Sequence, residues 1–213
     1  MVRTLTLRAS LLVMTYGAAT LPRASGGAAA VATHQLAITV WTFLAFTLDA
    51  IAIAAQAITG RSLGSGDVAT TRAVTARMVQ WGLFGGVFTG VGLAAVSPLV
   101  GALFTQDPQV RDLLWPVLVV AAVFQPVAGL VFVLDGVLIG AGDGRYLARG
   151  GVVVLAVFAP LAWLAVRVGP AATGAGSALV WLWVAFGIGF MGSRGVVLMR
   201  RVRGSRWLVT GTG

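Results

Sequence analysis

Cysteine, lysine and glutamate are absent from the chain, and histidine occurs once, at His34. The missing thiols exclude disulfides, cysteine nucleophiles and cysteine-based metal sites. A lone imidazole cannot build a metal site, and no carboxylate is placed opposite it with the specificity a hydrolase needs. No metal or organic cofactor is expected, and neither is an enzyme. Charge is scarce too: 10% of residues are charged, against about 25% in soluble domains. So few polar groups cannot cover a water-facing surface, which excludes a soluble domain.

What is present is apolar. Hydrophobic residues make up 58% of the 213, and the mean hydropathy is +0.95. Apolar runs follow one another from end to end, and six are long enough for the roughly 20 residues that cross a hydrocarbon core. They fall near 4–22, 28–58, 74–104, 112–140, 147–168 and 172–198. The second and third exceed a minimal span and should tilt or project beyond the membrane. The expected fold is all-α and integral to the membrane, a six-transmembrane-helix bundle over residues 1–200 followed by a basic tail at 201–213. A secretory signal is a second reading of the start, with Ala30-Val31-Ala32 as its small-residue site. Arg23 and five further spans favour a first transmembrane helix instead.

The fifteen cationic side chains are all arginine, against six aspartates, giving a net charge of +9. They form no basic face interleaved with aromatics, so nucleic acid is not an expected partner. Topology explains them better. Alternating sides along six spans puts Arg3, Arg8, Arg61, Arg72, Arg77, Arg145, Arg149, Arg194, Arg200, Arg201, Arg203 and Arg206 on one side. Only Arg23, Arg111 and Arg167 fall on the other. The positive-inside rule then predicts a plasma (inner) membrane protein with both termini in the cytoplasm. The basic end from Arg194 to Trp207 suits anionic lipid.

Two of the cytoplasmic turns share a pattern, Leu63-Gly64-Ser65-Gly66-Asp67 and Ile139-Gly140-Ala141-Gly142-Asp143. Repeated helix sets are common in transporters. Gly140-x-Gly142-x-Gly144 is not a phosphate loop, because it follows a membrane helix and no Gly-Lys-Ser/Thr ending occurs. Its expected role is a tight turn in which Asp143 caps the next helix and Arg145 and Arg149 anchor it to headgroups. Glycines stripe the third span (Gly82, Gly85, Gly86, Gly90, Gly92) and the sixth (Gly174, Gly176, Gly187, Gly189, Gly192). Gly86 and Gly90 have the G-x-x-x-G spacing of close helix packing.

The most telling residue is Asp135, an acid inside the apolar fourth span. A carboxylate at the bilayer centre costs about 3 kcal/mol on insertion scales, which marks it as a functional-site hypothesis. One reading makes it a proton- or cation-exchanging group, helped by the bend that Pro126 imposes beside Gln125. The other pairs it with an arginine such as Arg145 or Arg149 near the headgroups. In the second span Gln35, Asp49 and Gln56 are separated by multiples of seven and share a helix face. They line a polar path, with Asp49 attracting cations, or else hydrogen-bond neighbouring helices. Trp41 lies in the same helix, and His34 reads as a structural hydrogen-bonding group at the interface.

Several motifs in register resemble one family. Ala32-Thr33-His34-Gln35, the run from Leu48-Asp49 to Gln56-Ala57, Gly60-Arg61-Ser62-Leu63-Gly64-Ser65-Gly66-Asp67, Leu103-Phe104-Thr105-Gln106-Asp107 and the run from Phe132 to Asp143 resemble the multidrug and toxic compound extrusion (MATE) transporters, especially their DinF-like branch. The resemblance reaches about Val168 and fits that family's helices seven to twelve. It implies one lobe of a twelve-helix antiporter that exports small organic, often cationic, compounds by alternating access as H⁺ or Na⁺ enters. The coupling acid usually assigned to the family's first helix has no counterpart in this sequence. The missing N-terminal six-helix lobe would come from the rest of a longer chain or from a second polypeptide. By this resemblance Asp135 and Asp49 are the cation- or proton-coupling candidates. His34, Gln35, Trp41, Gln56 and Gln125 are candidates to line the substrate cavity. An inactive truncated fragment, an accessory membrane module and a flippase for lipid-linked substrates stand as alternatives.

Overall fold

The computed structural model describes residues 2–22, 27–173 and 177–210, among which there are helices and turns but no strand. Arg23, Gly174 and Gly176 lie outside the described residues. The helices are α1 (Val2–Ala19), α2 (Ala28–Gly64), α3 (Val68–Phe104), α4 (Pro108–Val123), α5 (Gln125–Gly140), α6 (Gly144–Thr173), α7 (Ala178–Ala185), a π-helical segment (Phe186–Gly192) and α8 (Ser193–Arg203).

Four stretches are long and apolar enough to cross a membrane: α2, α3, α6 and the continuous run from α7 to α8. A fifth is the pair α4 and α5, bent by 50° at their junction. The protein is a multi-pass membrane protein, but the six expected spans are not alike. α1 has 18 residues and carries Arg3 and Arg8, so it falls short of the same measure. α2 and α3 have 37 residues each, about 55 Å at 1.5 Å per residue, and overreach a core about 30 Å thick, as their lengths predict.

The fourth and sixth spans are interrupted for different reasons. Pro126 has no N–H to give to the Ala122 carbonyl four residues earlier, and α5 restarts there in a new direction. In the sixth, seven residues from Phe186 to Gly192 wind as a π-helix. Each wider turn holds an extra residue, which rotates everything that follows relative to an uninterrupted α-helix.

α5 is the centre of the bundle, packed between α2 and α3. Glycines bring the backbones together. A Cβ on Gly82 would stand 2.5 Å from Val133 Cγ2 and 2.7 Å from the Gly129 carbonyl, and one on Gly90 would stand 2.6 Å from the Ala122 carbonyl. On the other side, a Cβ on Gly136 would reach 2.9 Å from the Ala52 carbonyl carbon, and one on Gly140 would reach 3.0 Å from that of Gln56. This is the small-residue packing that membrane helices use where burial of apolar surface gives little driving force. Large apolar side chains such as Phe43, Phe88 and Leu103 point outward, while His34, Gln125 and Asp135 are buried. That inversion of the soluble pattern is what a lipid surround favours.

The two glycine-aspartate turns have the same backbone. Gly66 and Gly142 adopt φ of +76° and +73°, a left-handed conformation open to glycine. The Asp67 N–H donates to the Ser62 carbonyl at 3.0 Å and the Asp143 N–H to the Leu138 carbonyl at 2.9 Å, closing equivalent C-terminal caps. Their side chains part company. Asp67 caps α3 through the Thr70 N–H at 2.9 Å, and the Thr70 hydroxyl and N–H hold its carboxyl below the ordinary value. Asp143 instead receives the Arg201 Nε at 2.5 Å from α8. The basic end is correspondingly ordered: Arg201 also lies 4.7 Å over the Tyr146 ring, and Trp207 is buried, its Nε1 donating to Val202 and Gly204 carbonyls.

Candidate functional site: a charged cavity beside α5

A cavity of about 190 Å³ opens between α1, α2, α5 and the sixth span. Each element delivers residues by its own periodicity. α1 contributes Arg3, Leu7 and Leu11, spaced by four and facing one way. α2 contributes Trp41, Asp49, Ala52, Ile53 and Gln56, and α5 contributes Phe132, Asp135, Gly136 and Ile139. Phe190, Met191 and Arg194 close the site. Backbone contact between Gly136 and Ala52 brings the two acid-bearing helices together.

Asp135 is 8% exposed and sits between two guanidiniums. Its Oδ2 accepts from Arg3 Nη2 at 2.8 Å and from Arg194 Nη2. The acid is therefore paired, but with α1 and α8, and not with the nearby Arg145 or Arg149 that sequence reasoning named. Those two are exposed. The π-helical turn explains Arg194: its extra residue redirects the start of α8 toward α5, and the Ser193 hydroxyl donates back to the Gly189 carbonyl. Asp135 Oδ1 and Arg3 Nε are buried with no partner among the described residues. The triad thus retains unused hydrogen-bonding capacity at the cavity's edge.

Asp49 lies on the same cavity but is exposed, and no hydrogen bond or ion pair engages it among the described residues. Gln56, two turns along, shares its stripe and its exposure. Gln35 is on that exposed face as well, but 14 residues from Asp49, about 21 Å along the helix, so it does not border the cavity. Trp41 borders it and meets Phe186 edge-on at 5.4 Å between centroids.

His34 and Gln125 are elsewhere. His34 is fully buried, 3.4 Å from the Thr15 hydroxyl and 5.9 Å from the Trp183 ring, and does not border the cavity. Gln125 is 1% exposed at the α4–α5 break, pressed against Gly86 and Gly90, and neither amide atom has a partner among the described residues. No group of three or more His, Cys, Asp or Glu gathers as a metal site among the described residues. Gly60-Arg61-Ser62-Leu63-Gly64 spells the nucleophile-elbow pattern, but it continues the α2 helix and Ser62 donates to the Ile58 carbonyl at 2.9 Å. The strand-to-helix turn that exposes such a serine is missing there.

Sequence reasoning identified both acids and missed both arginines. Arg3 and Arg194 were visible as residues of the same membrane side as the inner end of span four, which is the one signal that pointed to them. Choosing them over Arg145 and Arg149 required the docking of α1 against α6 and the π-helical turn.

A family model described as MatE matches residues 6–164. Protein DETOXIFICATION 44, chloroplastic, of Arabidopsis thaliana is 33% identical over 151 residues, which cover 69% of this chain and 28% of that protein. Protein DETOXIFICATION 43 of the same plant is 31% identical over 188 residues, 88% of this chain and 33% of that protein. DNA damage-inducible protein F of Escherichia coli (strain K12) is 31% identical over 196 residues, 84% of this chain and 41% of that protein. The chain spans less than half the length of these relatives. No solved structure matches it. The matched region runs from α1 through most of α6 and contains the paired glycine-aspartate turns and both cavity acids, so the chain belongs to the multidrug and toxic compound extrusion family.

Proposed function

We propose that the chain forms the C-terminal lobe of a cation-coupled efflux antiporter, exporting small organic compounds by alternating access with an N-terminal six-helix lobe. The observation that carries this reading is the cavity itself, where Asp49 of α2 and Asp135 of α5 border one space walled by apolar side chains. Ionisable groups gathered on a cavity between membrane helices are the recurrent mark of ion and substrate paths. H⁺ or Na⁺ is the coupling ion, engaged at Asp49, or at Asp135 when Arg3 and Arg194 release it. Trp41 and Gln56 contact substrate, whereas His34 and Gln125, buried away from the cavity, act on packing, and Gln35 lies on the exposed face of α2 beyond the cavity. The lobe lies in the plasma membrane with its arginine-rich ends in the cytoplasm, following the charge asymmetry.

The test supplies an N-terminal lobe, such as that of DNA damage-inducible protein F, to cells expressing this chain, and follows efflux of a cationic dye. Efflux should need both pieces, and Asp135→Asn in this chain should lower it about tenfold or more, the scale of a lost charge-assisted hydrogen bond. Undiminished efflux in that variant removes Asp135 from the transport cycle. No efflux from the two lobes together removes the transport reading.

A further inference from the structure

We infer that the cavity recognises zwitterionic organic molecules, Asp49 taking the cationic end and the Arg3–Arg194 pair the anionic end. The inference rests on the cavity being the substrate site proposed above, and it names the class of substrate.

Four charged side chains border the space: Arg3, Arg194, Asp49 and Asp135. Their formal charges sum to zero, yet they are not evenly mixed. Both guanidiniums converge on a single oxygen of Asp135, each through Nη2. A guanidinium has five N–H donors, so the triad leaves most of them unspent and carries a net positive charge. Arg3 is the accessible member, its side chain 33% exposed against 10% for Arg194. On the facing α2 wall, Asp49 is exposed and is engaged by no described residue. The cavity therefore has a positive pole at α1 and α8 and a negative pole at α2.

An organic cation at this site meets Asp49 favourably and the two guanidiniums unfavourably. An organic anion meets the reverse. Only a molecule carrying both charges finds a complement at each pole, and the apolar walls between the charged groups make a mismatch costly. Between them Leu7, Trp41, Ile53, Phe132 and Phe190 offer an apolar floor to a hydrocarbon or aromatic scaffold. A cavity of about 190 Å³ is below the roughly 300–1,000 Å³ of drug-sized sites, which favours a scaffold of one ring or so.

Three probes of one scaffold separate the possibilities: 4-(aminomethyl)benzoate as the zwitterion, its methyl ester as the cation and its N-acetyl derivative as the anion. Each is titrated calorimetrically into the full 213-residue chain in lipid nanodiscs. The zwitterion should bind about tenfold more tightly than either singly charged probe, the value of one charge-assisted contact. Asp49→Asn should abolish its advantage over the N-acetyl anion, and Arg3→Gln its advantage over the ester. Because Arg3→Gln also loosens the triad, the quantity compared is the ratio of affinities within each variant, and Arg3→Lys, which keeps the charge, should retain part of the preference. A zwitterion that binds no better than the better singly charged probe overturns the inference, as does a uniform loss across all three probes in both variants or the absence of any binding. Dye efflux without zwitterion preference would overturn this inference and leave the transport reading standing, whereas charge-selective binding without efflux would do the opposite.

Discussion

Asp49 and Asp135 border one cavity, and the bundle treats them differently. Asp135 rides on α5, which is held between α2 and α3 at glycine contacts, so its carboxylate is drawn in and tied to Arg3 and Arg194. Asp49 rides on the exposed stripe of α2 that opens on the cavity beside those contacts, and it has no such partners among the described residues. The difference lies in the helix neighbours and not in the residue type. A buried acid can be stable because it is paired, while an exposed one is free to meet a ligand. The two glycine-aspartate turns teach the same lesson on a smaller scale. Identical backbone caps leave Asp67 on a helix end and Asp143 on an arginine from α8.

Breaking the clamped acid should have the largest effect. Asp135→Asn keeps the size and removes the charge, leaving two guanidiniums facing each other; loss of a buried pair's partner costs about 3 kcal/mol. Thermal unfolding of the chain in detergent should show it as a clear fall in midpoint, and an unchanged midpoint would mean that the triad does not hold α1, α5 and α8 together. Next comes the contrast within the triad. Arg194→Gln removes the buried guanidinium and should cost about 2 kcal/mol, while Arg3→Gln removes the one-third exposed partner and should cost about 1 kcal/mol, since solvent screens it. Equal losses would show that burial does not rank the two bonds. Asp49→Asn should change stability least, within about 0.5 kcal/mol, as expected of an exposed residue without partners among the described residues. A fall as large as that of Asp135→Asn would erase the distinction between the two acids.

Much of this was legible in the chain itself. Scarce charge and continuous apolar runs determine a membrane-embedded helical protein, because a hydrocarbon surround leaves helices as the simplest way to satisfy the backbone. The seven-residue spacing of Gln35, Asp49 and Gln56 puts them on one exposed face, and the Gly-x-Gly-Asp repeat marks two equivalent turns, since only glycine adopts those φ values freely. The partner of Asp135 was not legible. It depends on where α1 docks, mainly against α6, and on the π-helical segment that precedes Arg194, and both bring together segments far apart in the chain. Local pattern determined which side of α2 is polar. Only the tertiary structure decided which polar groups meet, because residues 3, 135 and 194 are joined by no local periodicity and come together solely through the docking of three separate helices.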